Sequence, residues 1–422
     1  MVLKRHYPNF NQLLESIPDH RQRSSYQVAE LLMAGLSMFI FKRGSRNNTD
    51  CGASGNYEAN YITVFGMRLP VMDTVDVFLR GLEPDNLETL KATLVSKLIE
   101  KKVLSKWKYN GHYIVAVDGT GIYSFDYEPF EGCPYKESKN GKKSWQVYVL
   151  EAKLLCGNGL SISLATQWLD NKENISDKQD CELTAFARLA QKIKQQWPRL
   201  PIILTADALY VNAPVFDICS NNGWPFIITF KEGTLKTVWK TIGLLYDLQV
   251  ADNKQEKIIS KDSKGWKYET GMYINELKYQ HHTLNWIEYT SGYKGEPPID
   301  RFVHITNMTI TKDNIWQMSN HGRLRWCIEN EGFNTQKNNG YKLQHKYSRT
   351  SPTAMKNYYQ LLQIAHLINQ LTEKLLRVKD QIKAGKLTWK AIWEDIMADM
   401  KKQVINISEL QTALEIQKQL RY

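Results

Sequence analysis

Apolar positions recur at two different periods along this 422-residue chain, and the change of period divides it. Up to about residue 105 the spacing is helical. Asn9-Phe-Asn-Gln-Leu-Leu-Glu15 opens one helix, Tyr26 to Phe41 forms a second, and Asp73–Leu79 and Asn86–Glu100 predict two more. The last of these carries Leu87, Leu90, Leu94 and Leu98 at spacings near one helical turn. From residue 112 the pattern turns to strands: Ile114–Val117, Trp145–Leu155, Leu160–Gln167, Ile202–Thr205 and Pro225–Phe230. Helices are expected over Asp180–Gln196 and Ala213–Asn221. The first has Ser176 and Gln179 at capping-box spacing ahead of it and Pro198 as its stop. Between Phe230 and Arg323 the chain reads as largely β, with Trp266–Ile274, Leu284–Tyr289 and Phe302–Thr306 as strands. A helix bearing Glu329, a long helix over Pro352–Leu376 and a final stripe of Trp389, Ile392, Trp393, Ile396 and Met400 complete the pattern.

The order β-β-β-α-β-α-β followed by a Glu-bearing helix predicts an α/β arrangement with a mixed sheet. The expected organisation is a helical N-terminal region over 1–105, a core over 106–233, a β-rich insertion over 234–317, the second part of the core over 318–376 and a helical C-terminal region over 377–422.

Charge changes this picture. Lys and Arg number 55 against 44 Asp and Glu, a net +11, so polyanions are the natural partners: nucleic acid or an anionic membrane. The run Leu31–Phe41 is too short to span a bilayer, and it begins too late and lacks the small-residue site of a signal peptide. Six scattered cysteines form no C-x-x-C pair and the nine histidines no H-x₃-H pair, which argues against a structural zinc site or a disulfide framework. A reducing cytoplasm is expected. No G-x-x-x-x-G-K-[ST] occurs, so no nucleotide cofactor is indicated.

Three carboxylates stand in telling contexts. Asp118 ends the apolar run Tyr113–Val117 just before Gly119-Thr120, Asp207 ends Ile202–Ala206, and Glu329 lies in Arg325-Trp-Cys-Ile-Glu-Asn330 with helical spacing. A carboxylate where a buried strand stops costs free energy unless something pairs with it. In an open α/β sheet such positions face the ligand crevice. The competing readings are an Asp that caps a turn and, for Glu329, an i,i+4 surface pair with Arg325. Taken together, two such Asp and a helix-borne Glu point to acidic oxygens around a hard cation such as Mg²⁺. Trp326 and Phe333 form an apolar stripe expected to anchor that helix against the sheet. Around Glu329, the bases Arg323, Arg325, Lys337, Lys342, Lys346 and Arg349 suit phosphate oxygens. A loop with Lys136, Lys139, Lys142 and Lys143 is a second basic segment, for which a merely solvated role competes with DNA contact.

Val115-Ala-Val-Asp118-Gly-Thr, Leu204-Thr-Ala-Asp207-Ala-Leu-Tyr and Gly322-Arg-Leu-Arg-Trp-Cys-Ile-Glu329-Asn-Glu-Gly-Phe-Asn resemble the DDE transposases of bacterial insertion sequences, in the group with a Tyr-Arg-Glu-Lys signature. Lys178-Gln-Asp-Cys-Glu182 and Gly340-Tyr-Lys-Leu-Gln-His345 are similar to stretches of the same proteins. The resemblance covers roughly residues 110–370. It implies an RNase H-like catalytic core with Asp118, Asp207 and Glu329 as catalytic and metal-binding triad, two Mg²⁺ (or Mn²⁺) per site, and Arg325 holding a phosphate. It further implies double-stranded DNA partners, namely terminal inverted repeats and target DNA, a homodimer on the paired ends, and a bacterial, nucleoid-associated location. Two positions depart from the signature: Gly322 stands at the tyrosine place, and Gln336 at the lysine place with Lys337 one further on. A local irregularity in the helix would restore Lys337, and Tyr341 would substitute for the tyrosine. The alternatives are an RNase H-like endonuclease that does not join strands and a domesticated DNA-binding protein that no longer cleaves.

Overall fold

In the computed structural model, which describes residues 2–171, 181–263, 265–375, 380, 382, 383, 385 and 387–415, the strand-forming half builds ten strands. They are β1 (Tyr113–Phe125), β2 (Tyr135–Glu137), β3 (Lys143–Leu155), β4 (Ser161–Trp168), β5 (Ile202–Ala206), β6 (Phe226–Thr229), β7 (Gln255–Asp262), β8 (Gly265–Tyr279), β9 (His282–Tyr293) and β10 (Asp300–Thr306). They form one mixed sheet in the order β2-β3-β1-β5-β6-β10-β9-β8-β7, with β4 also pairing β3. Only β1–β5 and β5–β6 pair in parallel; the other pairings are antiparallel. That explains the continuous apolar runs Tyr113–Val117 and Ile202–Ala206: these central strands are buried on both faces, so no residue alternates outward.

Seven helices precede the sheet: α1 (Val2–His6), α2 (Phe10–Glu15), α3 (Val28–Ile40), α4 (Arg46–Cys51), α5 (Tyr57–Phe65), α6 (Met72–Gly81) and α7 (Pro84–Glu100). α8 (Glu182–Gln196) packs on β3 and β4, α9 (Ala213–Asn222) packs beside α8, and α10 (Lys236–Asn253) packs on β8. α11 (Ile315–Arg323), a π-helical turn (Ile328–Asn334) and α12 (Thr335–Asn338) lead to α13 (Pro352–Glu373), and α14 (Trp389–Lys402) and α15 (Ile407–Glu415) follow. Every residue of α3 is buried, as are Ala354, Met355 and Asn357–Leu371 of α13, because these two helices pack against each other, α3 also against α2 and α6 and α13 also against α6, α7 and β4. Asn357 on α13 donates to the carbonyls of Leu79 and Leu82, fastening α6 to it. Among the described residues no helix is long and apolar enough to cross a membrane, and the Leu31–Phe41 run is buried core.

Several expectations change. β1 does not stop at Val117 but runs on to Phe125, so Asp118 lies inside a long strand. The basic loop after Pro134 contributes a short strand, β2. The stretch after Phe230, expected to be largely β, opens with the eighteen-residue helix α10, and its strands are not set apart, since β10 pairs β6 and continues the same sheet. Trp326 does not anchor its helix: it is 49% exposed, and Phe333 alone of that pair is buried. The Trp389 stripe packs Trp393 and Met400 into the core, and Ile396 faces solvent. The capping-box pair Ser176 and Gln179 lies outside the described residues.

Candidate active site

Parallel pairing of β1 with β5 ends at Ala116 opposite Thr205. Two residues further on, Asp118 and Asp207 stand level on neighbouring chain segments, where the sheet opens. Asp207 takes its position from a local interaction: its Oδ1 accepts from the Leu209 amide (2.8 Å) and caps the single 3₁₀ turn Ala208–Tyr210. The turn-capping reading is therefore true of this residue. Asp118 Oδ1 accepts from the Gly119 amide (3.0 Å).

Glu329 reaches the same place from the helical side. Nη1 of Arg325, four residues earlier, donates to Glu329 Oε1 at 2.6 Å and stands 3.9 Å from Asp118 Oδ2. The pair is buried at its arginine end, where the Arg325 side chain is 9% exposed and its Nε has no hydrogen-bond partner, and open at the other, where the Glu329 side chain is 36% exposed. Arg325 thus lies between two of the acids. Burial pushes the Asp118 carboxyl from 3.8 up to about 7; the charge of Glu329 adds to the rise, Arg325 opposes it, and Glu182 contributes further.

Glu182 is a fourth acid that the sequence reading did not single out. It opens α8, where an acid reads simply as a partner of the helix dipole. Here Tyr148 Oη donates to its Oε1 (2.8 Å) and Tyr210 Oη to its Oε2 (3.2 Å). Burial raises both phenols, and the charges of Glu182, Asp118 and Asp207 raise them further, so three acids act on this one pair of rings. Gly119 makes the approach possible. A Cβ there would lie 2.6 Å from the Tyr148 ring and 2.7 Å from Glu182 Oε1. The motif stretch ending in Glu182 was the available signal.

A π-helical turn over Ile328–Asn334 makes the helix locally irregular between Arg325 and Lys337. A π turn takes in one more residue than an α turn. Counting on from Glu329, Gln336 then points into the core, where it donates to Gln363 Oε1 (2.9 Å), and Lys337 is half-buried at the face next to it. Tyr341 is buried, its hydroxyl accepting from Asn369 Nδ2 (2.9 Å). At Gly322 a Cβ would meet the His304 ring at 2.6 Å and Ile227 at 2.9 Å, so α11 lies too close to β6 and β10 for a tyrosine in that place.

The basic residues divide. Arg323 stacks over Phe302 and Tyr289 (4.3 and 5.3 Å to the ring centroids), Lys346 lies over Phe125, and Lys143 over Tyr135. Lys142, Lys143, Lys342 and Arg349 are exposed. A pocket of about 920 Å³ lies elsewhere: Lys42, Lys342, Lys374, Glu331, Glu373 and Trp393 are among its lining, and none of the three predicted acids is.

Three carboxylates make a hard oxygen donor set of the kind Mg²⁺ takes, and on that donor chemistry the residues fit the ion; the upward shift of Asp118 comes first from burial and then from Glu329. The oxygens are not closed around one point. Among the described residues, ligand atoms all within 4.8 Å of one another belong to a different trio, Asp217, His281 and His282. Arg325 now supplies the cation at Glu329, and metal held by all three acids requires it to turn away. No protein-family model matches the chain, and no curated protein matches it.

Proposed function

We propose that this chain is a DDE-type transposase with an RNase H-like core, cleaving DNA at the ends of an insertion sequence and joining the freed ends to target DNA. The observation that carries the reading is the placement of Asp118 and Asp207 two residues past the last parallel pair of β1 and β5, with Glu329 presented from a π-helical turn across Arg325. The mixed sheet and the separation of the acids on strand and helix support it.

Asp118, Asp207 and Glu329 would hold Mg²⁺ (or Mn²⁺), which supplies Lewis-acid activation of the attacking oxygen and stabilisation of the leaving oxygen in phosphodiester displacement. Asp118 must give up its proton to serve as a ligand, and its raised pKa makes that step depend on pH near neutrality. Once released from Glu329, Arg325 is placed to meet a phosphate oxygen entering the crevice. Tyr148 and Tyr210 hold Glu182 in place and close the inner wall beside Gly119. Exposed Lys142, Lys143, Lys342 and Arg349, with Arg323, Lys337 and Lys346, supply the positive surface for the duplex. The acting species is a homodimer on paired terminal inverted repeats.

The test is incubation of the protein with labelled DNA carrying the element's own ends and a target plasmid in Mg²⁺. Products with element ends covalently joined to plasmid are expected. Cut ends that are never joined would leave a nuclease, and tight binding of the ends with no cut would leave a DNA-binding protein.

A further inference from the structure

We infer that Asp217, His281 and His282 form a second metal site, for a divalent transition ion of the Zn²⁺ class, that staples the tip of the β8–β9 hairpin to α9. The residues come from two places far apart in sequence. Asp217 lies on α9, and the hairpin brings His281 and His282 to it through the two-residue turn between Tyr279 and His282.

Both imidazoles aim the same atom at the same oxygen. His281 Nε2 is 2.6 Å and His282 Nε2 3.2 Å from Asp217 Oδ1, and the two rings lie 4.0 Å apart between centroids. His282 is 9% exposed and held edge-on against Phe216, and its Nε2 makes no well-formed hydrogen bond although Asp217 Oδ1 lies 3.2 Å away. A buried polar atom in this state needs a reason. An ion between the three donors gives one, since a metal accepts the lone pairs of both nitrogens and of the carboxylate oxygen at once.

Donor chemistry selects the ion. Two imidazoles and one carboxylate suit Zn²⁺, Co²⁺ or Ni²⁺ rather than Mg²⁺. Ordinary bonds of about 2.1 Å place tetrahedral donors roughly 3.4 Å apart. The His282–Asp217 distance is already close to that, and His281, whose side chain is 67% exposed, has room to swing outward. The exposed side leaves a fourth position for water. The turn supports the need for a staple: Gln280 has φ +51°, the left-handed region, where glycine is the easy choice and glutamine is costly. The hairpin also carries Tyr289, over which Arg323 stacks, so fixing its tip to α9 steadies the sheet beside the Glu329 helix. The site does not depend on the transposase reading.

The experiment uses the full chain without an affinity tag, stripped of metal by a chelator and titrated with Co²⁺ and then with Zn²⁺. Wild type should show the intense visible bands of low-coordinate Co²⁺, displaced by an equivalent of Zn²⁺, and a Zn²⁺-dependent rise in unfolding temperature. His281→Ala, at an exposed position that tolerates truncation, and Asp217→Asn should each weaken binding by about tenfold or more, and Asp118→Asn should leave it unchanged. Bands that survive His281→Ala and Asp217→Asn, or that vanish in Asp118→Asn, would overturn the assignment. So would wild type with no bands and no stabilisation by Zn²⁺, which would leave a His281–Asp217 ion pair alone.

Discussion

Asp118 is expected to destabilise the metal-free protein at neutral pH, and its removal to show by how much. In the folded chain the carboxyl keeps its proton up to about pH 7, against 3.8 for an ordinary aspartate, chiefly because it is buried beside Glu329. Between those values the folded state binds more protons than the unfolded one, so stability falls as pH rises through the window and levels off above about 7. Each unit corresponds to about 1.4 kcal/mol, so the full cost approaches ~4 kcal/mol, an upper figure for a side chain that is 19% exposed. The amide introduced by Asp118→Asn resembles the protonated acid and carries no such cost. Urea unfolding of wild type and Asp118→Asn in chelator, at about pH 5 and about pH 8, should show the variant gaining roughly 2–3 kcal/mol on wild type between the two. With Mg²⁺ at about pH 8 the order should narrow or reverse, since an ion that binds the folded state alone stabilises wild type. An advantage for Asp118→Asn that is equal at both pH values, or absent at both, would refute the burial-and-repulsion account of this carboxylate.

Two further outcomes follow from the geometry. Gly322→Ala should destabilise the protein by about 2 kcal/mol or more, because its Cβ has to displace His304 and Ile227 where α11 meets the sheet; chemical denaturation reads this directly. Binding to duplex element ends should weaken steeply with added salt through counterion release, and replacing both Lys142 and Lys143 with Gln should lower the slope of log affinity against log salt by roughly 2 if both neutralise phosphates; an unchanged slope would remove this loop from the interface.

How much of this was legible in the sequence depended on whether a residue's neighbours lay along the chain or across the fold. Asp118 and Asp207 stood out because apolar runs ended at them, and the structure brings them level through the β1–β5 register. The end of the apolar run was nevertheless a poor guide to the end of the strand: β1 continues past Asp118 because β3 goes on pairing with it as far as Trp145 opposite Phe125. α10 was missed because its apolar residues do not form one clear stripe; Leu244 and Leu248 point to solvent. Trp326 and Phe333, seven apart, looked like one apolar stripe, yet Trp326 is exposed and Phe333 buried, with π-helical winding in the stretch between them. Glu182 was marked only by the motif stretch it ends, since its partners come from β3 and the 3₁₀ turn, and the Asp217 trio had no local signal, since Asp217 meets His281 64 residues away and His282 beside it.

The central claim rests on three acids acting together on DNA. Single-turnover cleavage of labelled element-end DNA in Mg²⁺, comparing wild type with Asp118→Asn, Asp207→Asn and Glu329→Gln and with Glu331→Gln as a neighbouring control, tests it most directly. The account predicts metal-dependent 3′-hydroxyl ends from wild type and the control, and a loss of about a thousandfold or more in each of the three, without loss of fold. Cleavage at the wild-type rate by any of the three variants would contradict it.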